Sequence, residues 1–321
     1  MERFFKLSQS NTTVGIELGA GLTTFMAMAY IAFVNPQMMA SAGMDQGAAF
    51  VATCIAAALA CFFMGLYANW PVGLAPGMGL NAFFTYTIVG DMGYPWETAL
   101  GAVFIAGILF VILTVTRLRE WMLISIPWNL RIAMGAGIGL FVGMIGLRNG
   151  GLIVDHPATL LSLGNFQITE TLLAALGFLI ITGLATRRFP GAILLGILAA
   201  TAVGLGVGVV QYQGVVSAPP PIAPVLGKLD IAAALDVAMM SAIASLLFVN
   251  LFDTAGTLVG VATQTGLTKA DGTIENLDRA LKADSASSVA GALVGCAPVT
   301  SYVESAAGVA AGGKTGLTAC A

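Results

Sequence analysis

Charge is scarce in this sequence. Of 321 residues, 13 are Lys or Arg and 16 are Asp or Glu, so 9% are charged, against roughly 25% in a soluble domain. So few charges cannot coat a water-facing particle of this size. The net charge of −3 and the lack of a basic cluster leave nothing for nucleic acid to bind. Histidine occurs once, as His156 ahead of Pro157 in a polar connector. The four cysteines, Cys54, Cys61, Cys296 and Cys320, lie in apolar stretches without paired spacing. Cys54 and Cys61 fall on roughly one helix face, but a metal there would need further ligands. Zinc chemistry is therefore excluded, the cysteines read as packing residues, and no metal or cofactor is expected. No Ser–His pair and no HExxH-like constellation is present, so no catalytic residue is assigned and an enzyme is not expected. No A-x-A cleavage site follows a short apolar core near the start. Residues 1–13, with Arg3 and Lys6, read as a retained cytoplasmic end.

Apolar residues make up the difference. They are 58% of the chain, and 40 glycines accompany them, as expected where helices pack backbone to backbone in lipid. A spanning helix needs about 20 mostly apolar residues. Uncharged runs place helices near 14–34, 48–68, 96–116, 128–147, 171–186, 191–211, 232–252 and 283–296. Two further stretches, 71–89 and 297–312, are apolar but interrupted by Pro and Gly, which brings the count to ten segments. Threading from an inside N-terminus leaves Arg3, Lys6, Arg117, Arg119, Arg131, Arg187, Arg188, Lys269, Arg279, Lys282 and Lys314 inside, and only Arg148 and Lys228 outside. This is a strong positive-inside bias. Dropping either interrupted stretch would reverse every later loop, so both are expected to cross. The proline run at 219–224 then lies in an outer connector, where it harms no helix.

The interrupted stretches carry most of the information. Irregular backbone at membrane depth survives only where protein or a water-filled cavity satisfies its polar groups. Between Pro71 and Gly79 the breakers are dense enough to prevent a regular helix until about Met78. In the later stretch, the β-rich Pro298–Val303 run predicts an extended piece, and a helix can begin near Glu304. Two broken segments in corresponding positions of two halves point to a transporter's central site, because half-helix N-termini offer free N–H groups and a positive dipole end. Ordinary kinked helices are the plainer alternative.

Charges at bilayer depth are expensive and usually functional. Asp253 and Glu304 each end a long uncharged run, and Asn81 lies in the first half-helix. Helical spacing puts Asn250, Asp253, Thr254 and Thr257 on one face. Each has a plainer alternative: Asp253 as a cap near the interface, Glu304 as a dipole partner, Asn81 as interhelical glue. Asn81 taken alone favours the plain one, and the two carboxylates favour function. Glu17, Asp236 and Asp284 lie near segment ends, where interfacial solvation is expected. Gly139/Gly143 and Gly256/Gly260 are small-xxx-small pairs, expected to pack closely. Two carboxylates facing half-helix dipoles suit a polar, uncharged or cationic ligand, and a desolvated carboxylate can bind a proton. An anion carrier should show Arg or Lys in the broken segments, and a channel needs rings of charge. What remains is a proton-linked secondary transporter of a small polar molecule.

Four motifs then carry a resemblance: Asn35–Gln37, Ala75–Tyr86, Leu251–Ala262 and Thr300–Gly308. Together they resemble the azaguanine-resistance-like (AzgA-like) guanine, hypoxanthine and adenine permeases of the nucleobase–cation symporters. The resemblance implies an all-α polytopic membrane protein with the inverted-repeat fold of the uracil and xanthine permeases, built from core and gate domains. It implies residues 14–116 as the first part of the core (segments 1–4), 117–230 as the first part of the gate (segments 5–7), and 231–321 as the second part of the core (segments 8–10). That fold has fourteen segments and only about ten are found before Ala321, so the chain is expected to be C-terminally truncated. Carried over by motif, Asp253, Glu304 and Asn81 contact the purine, and Asp253 and Glu304 are the proton-coupling candidates. The implied function is import of purine nucleobases through the cell membrane by proton symport, with no cofactor and with a homodimer left open. The alternatives are a uracil, xanthine or other small-solute carrier of the same fold, and an inactive truncated permease.

Overall fold

A computed structural model describes residues 2–116, 118, 128–157, 159–187, 189, 191–211, 214, 217–267 and 274–321. Of the basic residues used for orientation, Arg117, Arg119, Arg188 and Lys269 lie outside the described residues, as do the side chains of Arg3 and Arg131. The chain divides into two compact units, one formed by Met1–Gly135 with Pro219–Ala321 and the other by Ala136–Ala218.

The larger unit begins with the short α1 (Glu2–Phe5) and then α2 (Val14–Met28), whose first turn is capped by the Thr13 hydroxyl. The helical path breaks at Ala29–Tyr30, resumes as α3 (Ile31–Ser41) and tolerates Pro36 inside α3. This span is longer than the expected 14–34. Asp45 accepts from the Ala48 amide at 2.7 Å to start α4 (Gln46–Phe63). Wider π-helical turns extend α4 over Met64–Ala68, and Asn69, in left-handed conformation, stops it. After β1 (Leu74–Pro76), α5 (Met78–Ala82) runs on in π geometry through Phe83–Asp91. Next come α6 (Trp96–Val115) and α7 (Trp128–Asn149), the latter crossing the boundary between the units.

The same unit ends with α10 (Ile231–Ala234), α11 (Val237–Thr265), α12 (Leu277–Val294), β4 (Val299–Ser301), α13 (Ser305–Ala310) and α14 (Gly316–Cys320). Gly266 and Gly295 close α11 and α12 at φ of 75° and 90°, a conformation that glycine adopts without a Cβ penalty. α12 packs against α6 and α4, and α11 against α6 and β4.

The smaller unit holds a β-hairpin, β2 (Ile153–His156) with β3 (Leu160–Leu163), and the paired helices α8 (Thr169–Thr186) and α9 (Ala192–Gly206). The hairpin occupies what reads in sequence as a plain polar connector. His156 serves its turn, accepting from the Thr159 amide at 3.2 Å.

Burial is inverted relative to a soluble protein. Leu22, Phe25, Phe33, Leu59 and Ile112 point outward, while Ala, Gly, Ser and Thr line much of the interior. In water such a surface would aggregate, whereas in a bilayer it is solvated. Among the described residues five helical stretches are long and apolar enough to cross: Val14–Ser41, Gln46–Ala68, Trp96–Val115, Thr169–Thr186 and Val237–Thr265. Two spans differ from expectation at their ends. α11 runs to Thr265 instead of stopping near 252, and α12 starts at Leu277 instead of near 283. A Cβ placed at Gly139, Gly143, Gly256 or Gly260 meets nothing within 4 Å. The close packing expected of these pairs is therefore absent among the described residues. Close approach occurs elsewhere, at Gly65 against Gly316 and at Gly308 against Thr24.

Candidate functional site

The two interrupted segments meet. β1 and β4 pair antiparallel, with Leu74 opposite Ser301, Ala75 opposite Thr300 and Pro76 opposite Val299. The Gly77 amide donates to the Pro298 carbonyl at 2.9 Å and the Tyr302 amide to the Gly73 carbonyl at 3.0 Å. The Gly73 amide finds the Ser305 hydroxyl at 3.0 Å, and the Tyr302 hydroxyl donates to the Pro76 carbonyl. On the outer edge, Cys61 Sγ accepts from the Leu74 amide at 3.2 Å and donates to its carbonyl at 3.3 Å. The irregular backbone is thereby satisfied within protein, the condition for its survival at this depth. Because the strands are antiparallel, α5 and α13 leave the ribbon at opposite ends. α5 begins at Met78, where breaker density predicted it, and Glu304 is the N-cap of α13.

The expected site residues divide into two groups. Glu304 is half-buried and accepts from the Tyr30 hydroxyl at 2.7 Å. Asp253 is also half-buried, in mid-helix, and lies within electrostatic reach of Glu304 and Asp284. The interfacial-cap alternative for Asp253 fails, because α11 continues for three further turns. Asn81 is fully buried, and among the described residues neither atom of its amide has a hydrogen-bond partner. An unpaired buried amide costs roughly 1–3 kcal/mol, so interhelical glue does not describe it among the described residues. α5 packs on α11, and α11 on α13, so the elements carrying these three residues adjoin.

The supporting polar face behaves differently. Asn250, Thr254 and Thr257 are all buried. Asn250 donates to the Ser288 hydroxyl at 3.1 Å, and Ser288 to the Val299 carbonyl at 2.5 Å. Thr254 donates to Asp284 at 2.9 Å, so its contact with the Thr300 hydroxyl, also 2.9 Å, must run from Thr300 to Thr254. This network fastens α11 and α12 to β4.

Two carboxylates expected at solvated segment ends are in fact fully buried. Asp284 accepts from the Ser301 amide at 3.1 Å, the Ser301 hydroxyl at 3.0 Å and Thr254. It lies inside because α12 starts earlier than its uncharged run. The hydroxyls of Ser287 and Ser288, one turn further on, are the sequence signal of that polar face. Glu17 accepts from the amides of Lys314 and Thr315 at 3.0 and 3.2 Å and from the hydroxyls of Thr315 and Thr318 at 2.8 and 2.6 Å. The last residues fold back over the first turn of α2, a contact that no local pattern announces. Asp236, by contrast, is exposed as expected and accepts from the Tyr94 hydroxyl.

Two antiparallel broken segments, one carrying Asn81 and the other Glu304, beside the Asp253 helix are the arrangement of a secondary transporter, not of an enzyme. The chain belongs to the family whose model is described as "Permease family" (Xan_ur_permease), which matches residues 15–320. Among its relatives, adenine permease AdeP of Escherichia coli (strain K12) is 48% identical over 319 residues, covering 99% of this chain and 72% of that protein. Guanine/hypoxanthine permease PbuG of Bacillus subtilis (strain 168) is 42% identical over 331 residues, covering 99% and 75%. The transmembrane domain of a cyanobacterium bicarbonate transporter, BicA, superposes with a TM-score of 0.68 at 18% identity, covering 95% of this chain and 79% of that one. This last likeness concerns the fold alone. The family expected from the motifs is thus borne out, as is a multi-pass permease in the cell membrane.

Proposed function

We propose that this chain imports purine nucleobases, in the class of adenine, guanine and hypoxanthine, together with protons. The observation that carries the proposal is the pair of incompletely bonded carboxylates, Asp253 and Glu304, on elements adjoining the buried, unpartnered amide of Asn81. A purine edge presents N–H donors and ring-nitrogen acceptors. The carboxylates accept from the former, and the Asn81 amide offers both a donor and an acceptor. The names of the relatives, adenine permease and guanine/hypoxanthine permease, support the substrate class. A proton arriving with the base resides on the Asp253–Glu304 pair. In this reading residues 14–116 and 231–321 form the core that holds the site, and 117–230 the first part of the gate; the separation of Ala136–Ala218 as its own compact unit supports such a division. The bias of the basic residues supports an N-terminus on the cytoplasmic side.

Uptake of labelled adenine, guanine, hypoxanthine, xanthine and uracil, in cells lacking their own carriers, tests this. Purine uptake should rise as external pH falls and should collapse with a protonophore. Uptake that followed a sodium gradient and ignored pH would reject proton coupling. Uptake of uracil or xanthine in place of the purines would reject the substrate class.

A further inference from the structure

The break in the first span places a tyrosine against the site. Ala29 and Tyr30 interrupt α2 and α3, and Tyr30 packs against a cluster formed by Met28, Ile31, Ala75 and Tyr302. That cluster draws on the first span, β1 and the end of β4. From it the Tyr30 hydroxyl reaches Glu304 Oε1 at 2.7 Å, across 274 positions of sequence. The other oxygen of Glu304 has no hydrogen bond among the described residues, and the side chain is only half-buried. We propose that Tyr30 is a positioning residue of the purine site: its phenol holds one oxygen of Glu304 and leaves the other free for the substrate. The proposal rests on the reading of Glu304 as a substrate ligand.

The geometry gives Tyr30 two effects. A carboxylate held at one oxygen and packed on one side has a fixed orientation, so the substrate's N–H meets an acceptor already aimed. The phenol also donates only to the ionised carboxylate with full strength, so it weighs on when Glu304 takes a proton. The other titratable groups facing this pair are Asp253 from α11 and Tyr302 from the end of β4, with Asp284 of α12 acting on Asp253.

The test is Tyr30→Phe in the full chain, reconstituted in proteoliposomes, with adenine uptake measured from pH 5 to 8. Phe keeps the ring and its packing and removes only the donor. KM should rise about tenfold with maximal rate little changed, and the pH profile should move about one unit to the alkaline side, the size of one charge-assisted hydrogen bond. Tyr30→Ala, which also removes the ring, should lower thermal stability in addition. If KM and the pH profile of Tyr30→Phe both superimpose on the parent, the inference is overturned. A raised KM with an unmoved profile shows that the hydroxyl acts other than through Glu304 and also overturns it. Glu304→Gln separates the two levels. If that variant transports normally, the purine-site reading falls and this inference with it; if it fails while Tyr30→Phe is normal, only the inference falls.

Discussion

Two pairs of acidic side chains sit within this permease and are treated in opposite ways. Asp284 and Glu17 are wholly withdrawn from solvent and surrounded by donors, among the described hydrogen bonds three to Asp284 and four to Glu17. Asp253 and Glu304 are half-buried, and of the two only Glu304 has a side-chain donor, a single one, among the described hydrogen bonds. All four bear the cost of leaving water, and the protein offsets it fully for one pair only. A saturated carboxylate has nothing left to offer a ligand, so its role is to join elements. An unsaturated one has open acceptor positions, which is what a transported base requires.

The contrast is sharpest at Asp284. Replacing Asp284 with Ala orphans the Ser301 amide and two hydroxyls where α11, α12 and β4 join, and should cost about 3 kcal/mol or more, since each buried donor left unpaired costs about 1–3 kcal/mol. Thermal unfolding in detergent should show a large drop in midpoint, together with poor recovery from membranes. Glu17→Ala comes next. It unpairs the start of α14 and should cost about 1–3 kcal/mol, with fraying of the last residues visible as faster proteolysis there. Wild-type stability in both variants would dissolve the distinction between the pairs.

On the other side of the comparison, Glu304→Ala should leave stability within about 1 kcal/mol of the parent, because its one partner, Tyr30, is close to the accessible site. Purine affinity should fall at least tenfold, as expected when a donor of the substrate loses its charged acceptor. Asn81→Ala should have the smallest effect. Removing an amide with no partner relieves a desolvation cost, so stability should stay level or rise slightly, while affinity falls about threefold from the loss of a neutral hydrogen bond. A marked loss of stability in Asn81→Ala would show that its amide has structural partners after all.

How much of this was legible in the sequence follows from where each signal resides. Breakers act locally, so Pro71 to Gly79 gave both the extended piece and the helix start at Met78, and Glu304 fell at the head of its half-helix. Spacing also put Asn250, Thr254 and Thr257 on one buried face. Depth in the membrane is not local. Distance from the nearest charge set Asp284 and Glu17 at segment ends, although partners thirty residues away and at the far end of the chain bury them. The same limit ended α11 too soon at Asp253, although the helix runs on to Thr265 and Thr254, the next residue, is bonded to α12 and β4. The hairpin at 153–163 escaped because its alternation is weak and its turn depends on Leu160 at a φ of 64°, a conformation rare for leucine.

The most direct test of the account is equilibrium binding of adenine to purified Asp253→Asn, with its unfolding midpoint measured on the same sample. Asn keeps the shape of the side chain and removes the charged acceptor. The account predicts a dissociation constant raised at least tenfold with an unfolding midpoint close to the parent's. Parental affinity, or a collapse of stability like that of Asp284→Ala, would contradict it.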